Sequence, residues 1–147
     1  TSATARFAEG VREAAGACAE RDVRLLLEPL DPAETNILQT VEEARALADQ
    51  ISHLQVGYIL DCKAMSAMPN CIIGTIGEHG RAAGDFNTKE PGGHGPGMGE
   101  LDFRPILSAL RQRGYEGWIS TEPFNYEPDP ETVGRKALAT LKAAAAS

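Results

Sequence analysis

The chain has 147 residues, 42% of them hydrophobic, which is enough apolar surface for one packed domain and excludes intrinsic disorder. Its formal net charge of -7 offers no basic footprint for a phosphodiester backbone, so nucleic acid is not expected as a partner. No apolar run reaches the roughly 18 residues that span a bilayer and no charged-then-apolar leader precedes the first helix, so no membrane partner and a cytoplasmic setting are expected.

Residues 3–20 are Ala-rich, with Phe7, Val11, Ala14, Ala15 and Cys18 at helical spacing, which predicts a first helix despite Gly10 and Gly16. Residues 23–27 form a short apolar run that ends on Glu28 and is closed by Pro29, the pattern of a buried parallel strand with a carboxylate at its C-terminal end. Residues 40–50 hold a capping box, Thr40 with Glu43, and an apolar stripe of Val41, Ala44, Leu47 and Ala48. A second apolar run, 56–60, again ends on an acid, Asp61. Ile72, Ile73 and Ile76 predict a short helix broken by glycines, and residues 82–87 a third strand ending on Asn87. The glycine-rich stretch 91–99 reads as a loop; residues 103–113 return to helical spacing, with Asp102 as N-cap and Gly114 as the stop. Residues 117–121 are a fourth apolar run ending on Glu122, and after Pro123 and a short loop a final helix runs from about 131 to 145.

Four strand-and-helix units in strict alternation predict an α/β fold with a parallel sheet, because a parallel connection needs a crossover of this length. Glu28, Asp61, Asn87 and Glu122 all stand at strand C-terminal ends, the face on which TIM (β/α)₈ barrels place their chemistry. An open doubly wound sheet is disfavoured, since no G-x-G-x-x-G follows any strand. A whole barrel takes about 250 residues, so residues 1–147 read as a single domain, the C-terminal portion of a partial barrel. Thr1 in place of Met fits a fragment or a processed product. Such a half exposes two sheet edges, and self-association or pairing with the missing N-terminal half is expected. Cys18, Cys62 and Cys71 lack zinc-type spacing and read as buried free thiols.

Three carboxylates converging on one rim repel each other unless a cation compensates, which argues for a divalent metal, and oxygen ligands favour Mg²⁺ or Mn²⁺. For each acid taken singly, the competing reading is that it caps the following helix or pairs with a nearby Lys or Arg. Three acids recurring in register weaken that reading.

The segments LLLEPLDPAETNILQT, GYILDCKAM and EPGGHGPGMGELDFRPILSALRQRGYEGWISTEPF resemble the sugar phosphate isomerase/epimerase family, the xylose isomerase-like TIM barrels, from about residue 23 onward. The resemblance implies a metal set of Glu28, Asp61, Asn87 and Glu122, holding Mn²⁺, Mg²⁺ or Co²⁺ in preference to Zn²⁺. The chain departs from the family pattern at Asn87, where a histidine is usual, and at Ala64, where many members place a substrate-contacting histidine. Asp85 is expected on the strand face opposite Asn87 and so not to replace the imidazole. What the resemblance implies is a metal-dependent isomerase or epimerase of a small sugar, phosphorylated or not, working through an enediolate. In it Glu28 and Glu122 are the catalytic acid and base. The alternatives are a non-catalytic member with a decayed site, serving binding or assembly, and an endonuclease IV-like metal hydrolase, which needs more histidine ligands and a basic surface.

Lys63, His94 and Asn36 are the candidate substrate contacts, each with a plainer reading as exposed lysine, loop histidine and turn asparagine. His53 and His79 lie near helix ends and are expected to cap them. Trp118 and Phe124 bracket Glu122 and are expected in the core.

Overall fold

The computed structural model describes residues 2–67 and 71–147. Helix α1 (Ala3–Ala19) leads into strand β1 (Leu25–Leu27), then α2 (Val41–Ile51), β2 (Val56–Asp61), α3 (Cys62–Ser66) and α4 (Cys71–His79). A 3₁₀ turn at Gly80–Ala82, β3 (Asp85–Thr88), α5 (Phe103–Gln112), β4 (Trp118–Thr121) and α6 (Pro130–Ala145) complete it. The strands form one parallel sheet in the order β1-β2-β3-β4. The alternation predicted from the sequence is therefore present as four parallel strands of a partial TIM barrel.

Local chemistry sets most boundaries. Thr40 Oγ accepts from the Glu43 amide while the Glu43 carboxylate accepts from Gln39, a capping box displaced by one residue, and Ser52 closes α2 in the left-handed conformation. Asp102 and Asp129 accept from the first-turn amides of α5 and α6. Strand β1 is shorter than the apolar run suggests. The Val23 amide is committed to Cys18 at the end of α1, which leaves Val23 half exposed, and Pro29 offers no donor beyond Leu27. The third strand begins at Asp85 rather than at residue 82, because Gly80–Ala82 curl into the 3₁₀ turn. Helix α3 is absent from the sequence reading; Asp61 Oδ1 nucleates it by accepting from Ala64 at 2.8 Å.

Side chains alternate across the strands, and the register separates two faces. Leu27, Tyr58, Leu60 and Phe86 face the helices and pack with Val41, Leu47, Ile51, Ile72, Ile76, Ile106 and Leu110 into the core. The opposite, inner face presents Leu26, Gly57, Ile59, Asp61, Asp85, Asn87, Trp118 and Ser120. Asp85 thus shares the face of Asn87, correcting the expectation above: residues two apart in a strand project the same way, and Asp85 Oδ2 accepts from the Ser120 hydroxyl on the neighbouring strand. Trp118 and Phe124 are also not core residues, with 82% and 55% of their surface exposed. Trp118 lies on the edge strand and on the face no helix covers. Of the three free thiols, Cys62 is buried, Cys18 partly buried and Cys71 exposed, so the buried reading holds fully for Cys62, whose thiol burial pushes up to about 12. No helix among the described residues is long and apolar enough to cross a membrane.

Candidate active site

The C-terminal ends of the four strands bring Glu28, Asp61, Asn87 and Glu122 to one rim of the sheet. In their midst stands Lys89, which the sequence reading passed over. Its side chain is fully buried, and its Nζ donates to Glu122 Oε2 at 2.8 Å and lies 3.1 Å from Asp61 Oδ2. The signal for it is the strand period: Asp85, Asn87 and Lys89 are alternate residues, and the period carries the lysine onto the inner face one step beyond Asn87. Burial disfavours the ammonium, but the Glu122 hydrogen bond and the Asp61 charge outweigh it, so Lys89 keeps its proton more firmly than an ordinary lysine.

Each acid has a distinct environment. Asp61 is buried; its Oδ1 caps α3, while its Oδ2 meets Lys89 off the hydrogen-bonding direction and accepts no hydrogen bond. Asn87 Oδ1 is likewise buried and without a hydrogen-bond donor. Glu28 is half-buried, and its carboxyl is raised above the usual range first by burial and then by the Asp61 charge, against the lowering influence of Lys89. Glu122 is more open, with 54% of its side chain exposed.

The glycine-rich loop places an aromatic lid over the lysine. The Gly93 carbonyl accepts from the amides of Phe124 and Asn125, and Gly93 adopts φ +80°, where a side chain would also press on the Phe124 ring at 3.3 Å. Phe124 is thereby held with its ring centroid 4.4 Å from Lys89 Nζ and 5.6 Å from Lys63 Nζ. Lys63 is not the exposed lysine of the plainer reading: it is one-fifth exposed and pairs with Glu34 Oε2 at 2.6 Å. His94 is partly buried and its carbonyl accepts from the Glu90 amide. Asn36 is exposed and lines a cleft with Thr4, Leu38, Glu43 and Leu47, between α1 and α2. His53 and His79 cap no helix through their rings. His53 Nδ1 accepts from Gln55, and the buried His79 ring faces Glu42 at 3.2 Å.

The strand-end residues do not fit a divalent ion as they stand. An ion bridging Asp61 and Glu122 needs their oxygens at about 2.0–2.6 Å, and the Lys89 ammonium already holds those same oxygens with a positive charge. Among the His, Cys, Asp and Glu side chains of the described residues, three ligand atoms come within 4.8 Å of one another only at Glu42, Glu78 and His79, on α2 and α4 and separate from the strand ends.

A family model described as "Xylose isomerase-like TIM barrel" matches residues 2–144. The chain belongs to that family. Within the xylose isomerase-like barrels, the chain is 32% identical over 119 residues to a D-psicose 3-epimerase of Ruminiclostridium cellulolyticum, covering 81% of this chain and 41% of that protein. It is 33% identical over 120 residues to a D-psicose 3-epimerase of Enterocloster bolteae, covering 82% of this chain and 40% of that one. A crystal structure of the D-psicose 3-epimerase from Clostridium cellulolyticum H10 with D-tagatose superposes with a TM-score of 0.82 at 26% identity, over 96% of this chain and 55% of that one. The chain thus spans about half the length of these xylose isomerase-like relatives, and the four-stranded arc is what half a barrel looks like.

Proposed function

We propose that this chain supplies the C-terminal half of an isomerase or epimerase site that moves a proton at the carbon beside the carbonyl of a small ketose or related polyol. The observation that carries the reading is the pairing of two unlike acids, Glu28 and Glu122, with two buried oxygen acceptors, Asp61 Oδ2 and Asn87 Oδ1, on one rim. A buried acceptor without a donor costs free energy, and a polyol hydroxyl is a donor of the right kind for Asn87 Oδ1, whereas Asp61 Oδ2 already has the Lys89 charge beside it. In this reading the reacting carbon of the bound polyol sits between Glu28 and Glu122. One carboxylate takes the proton from one face and the other acid returns one from the opposite face, which inverts the carbon. A glutamate raised toward the operating pH, as Glu28 is, serves both directions of transfer. The relatives named as D-psicose 3-epimerases support this substrate class. Lys63, His94 and Asn36 are the remaining candidates for substrate contact. Lys63 has the best claim, because it shares the Phe124 ring with Lys89.

The family resemblance implies Mn²⁺, Mg²⁺ or Co²⁺, but with the Lys89 ammonium on the Asp61 and Glu122 oxygens the proton transfer rests on the chain's own acids. The non-catalytic reading draws on the same lysine, since an acid held in an ion pair is less free to move protons. Proton NMR of D-psicose and D-fructose with the protein in deuterated buffer tests the two. Exchange of the hydrogen beside the carbonyl is expected, falling about 100-fold or more in Glu28→Gln and in Glu122→Gln. Saturable sugar binding without exchange would replace the catalytic reading by the binding one.

A further inference from the structure

We propose that Lys89 is the resident cation of this site, standing where a divalent ion would otherwise balance the acids, so that a metal binds the strand ends only when Lys89 is removed. The inference deepens the isomerase reading, on which its catalytic part rests, but its structural part stands without it.

Three carboxylates at the rim, Asp61, Glu122 and Glu34, act on the charge of a fourth, Glu28. Lys63 pairs with Glu34 at 2.6 Å, and among the described residues Lys89 is the cation paired with Asp61 and Glu122. Lys89 contacts these two strand-end acids and lowers the pKa of the third, Glu28, and its stem is sealed from solvent on the inner face beneath Phe124. An ammonium and a divalent ion on the same two oxygens would repel each other strongly at this depth, so occupancy is exclusive. The neutral amide of Asn87 suits this arrangement. It adds no charge for a metal, and its Oδ1 is buried without a hydrogen-bond donor.

The lysine also has donor capacity to spare. An ammonium carries three N–H groups, and one is committed to Glu122 in hydrogen-bonding geometry. Asp61 Oδ2 lies 3.1 Å from the ammonium but outside hydrogen-bonding geometry, so the remaining N–H groups are not committed to an aligned acceptor there. A ketose oxygen placed there receives a charge-assisted hydrogen bond that strengthens as the carbonyl gains negative charge on loss of the neighbouring proton. The proton goes to a glutamate, the electron pair to the oxygen, and the ammonium keeps its own protons, so charge balances without an ion.

Manganese titration followed by electron paramagnetic resonance tests the exclusion, on the wild-type chain, Lys89→Gln, Lys89→Arg and Asn87→His, each checked by circular dichroism melting. The expected result is that Lys89→Gln binds manganese at least about tenfold tighter than wild type. Lys89→Arg and Asn87→His should stay at the wild-type level, because the cation remains. To keep the Glu42, Glu78 and His79 group from contributing, the series carries His79→Gln in every member. Equal affinity in wild type and Lys89→Gln overturns the proposal, as does a gain in Asn87→His with Lys89 intact. If Lys89→Gln does not fold, tight binding by the wild type overturns it and weak binding by both wild type and Lys89→Arg supports it. Chelation separates the two readings: exchange that survives a chelator supports both, and exchange abolished by it overturns the lysine while the isomerase stands. Absence of exchange under all conditions removes the isomerase and leaves the manganese result to decide the cation.

Discussion

Glu28 is a strand-end acid whose ionisation opposes folding. Its folded-state pKa lies above the ordinary 4.5, chiefly through burial, so between that value and the folded one the native state holds a proton that the unfolded chain has released. Its contribution to stability therefore falls as pH rises through this window, and below the window both states are protonated and the effect vanishes. Glu28→Gln should stabilise the fold near neutral pH, by no more than about 1 kcal/mol because a half-buried group is screened by solvent, and so raise the melting temperature there while leaving it unchanged in acid. Thermal melts across that range check the sign. The acids at the strand ends were legible because each closes an apolar run, a pattern that survives without any structural context. Lys89 was not, because its run, DFNTKE, has no apolar marker after Phe86 and only the strand period carries the lysine inward.

Among the elements, helices with local caps were read to within a residue or two, since Thr40, Asp102 and Asp129 act on amides two or three positions away. The single-turn α3 escaped because Asp61 serves as both strand end and cap, and its strand role masked the other. The stretch 91–99 was correctly read as irregular, but its order comes from residues outside it. Buried Glu90 accepts from Gly97 and Leu101 at 3.1 and 3.0 Å, and Gly97, at φ +81°, lies against α6, where any side chain would collide with Thr140 Oγ1. Glu90→Ala strands two amides and should cost about 3 kcal/mol in urea unfolding. It should also loosen Phe124, which the same loop holds, and a fall in tyrosine and phenylalanine near-ultraviolet dichroism would report that separately.

At the scale of the molecule, the sheet formed by the described residues ends on two unpaired edges, and Trp118, Ile119, Phe124, Tyr126 and Leu138 leave a broad apolar surface around β4. Such a surface drives association. Sedimentation velocity of the chain should show dimers or larger species that grow with concentration, and Trp118→Lys should shift the distribution toward monomer; a concentration-independent monomer would contradict this. Fold class was legible from the alternation alone, whereas the bareness of β4 was not, because an apolar strand reads the same whether or not its partner strand is present. The strand order has one more consequence. Each of β2, β3 and β4 lies beside the strand that precedes it in the chain, so during synthesis each of these three strands leaves the ribosome after a strand it pairs with has been made.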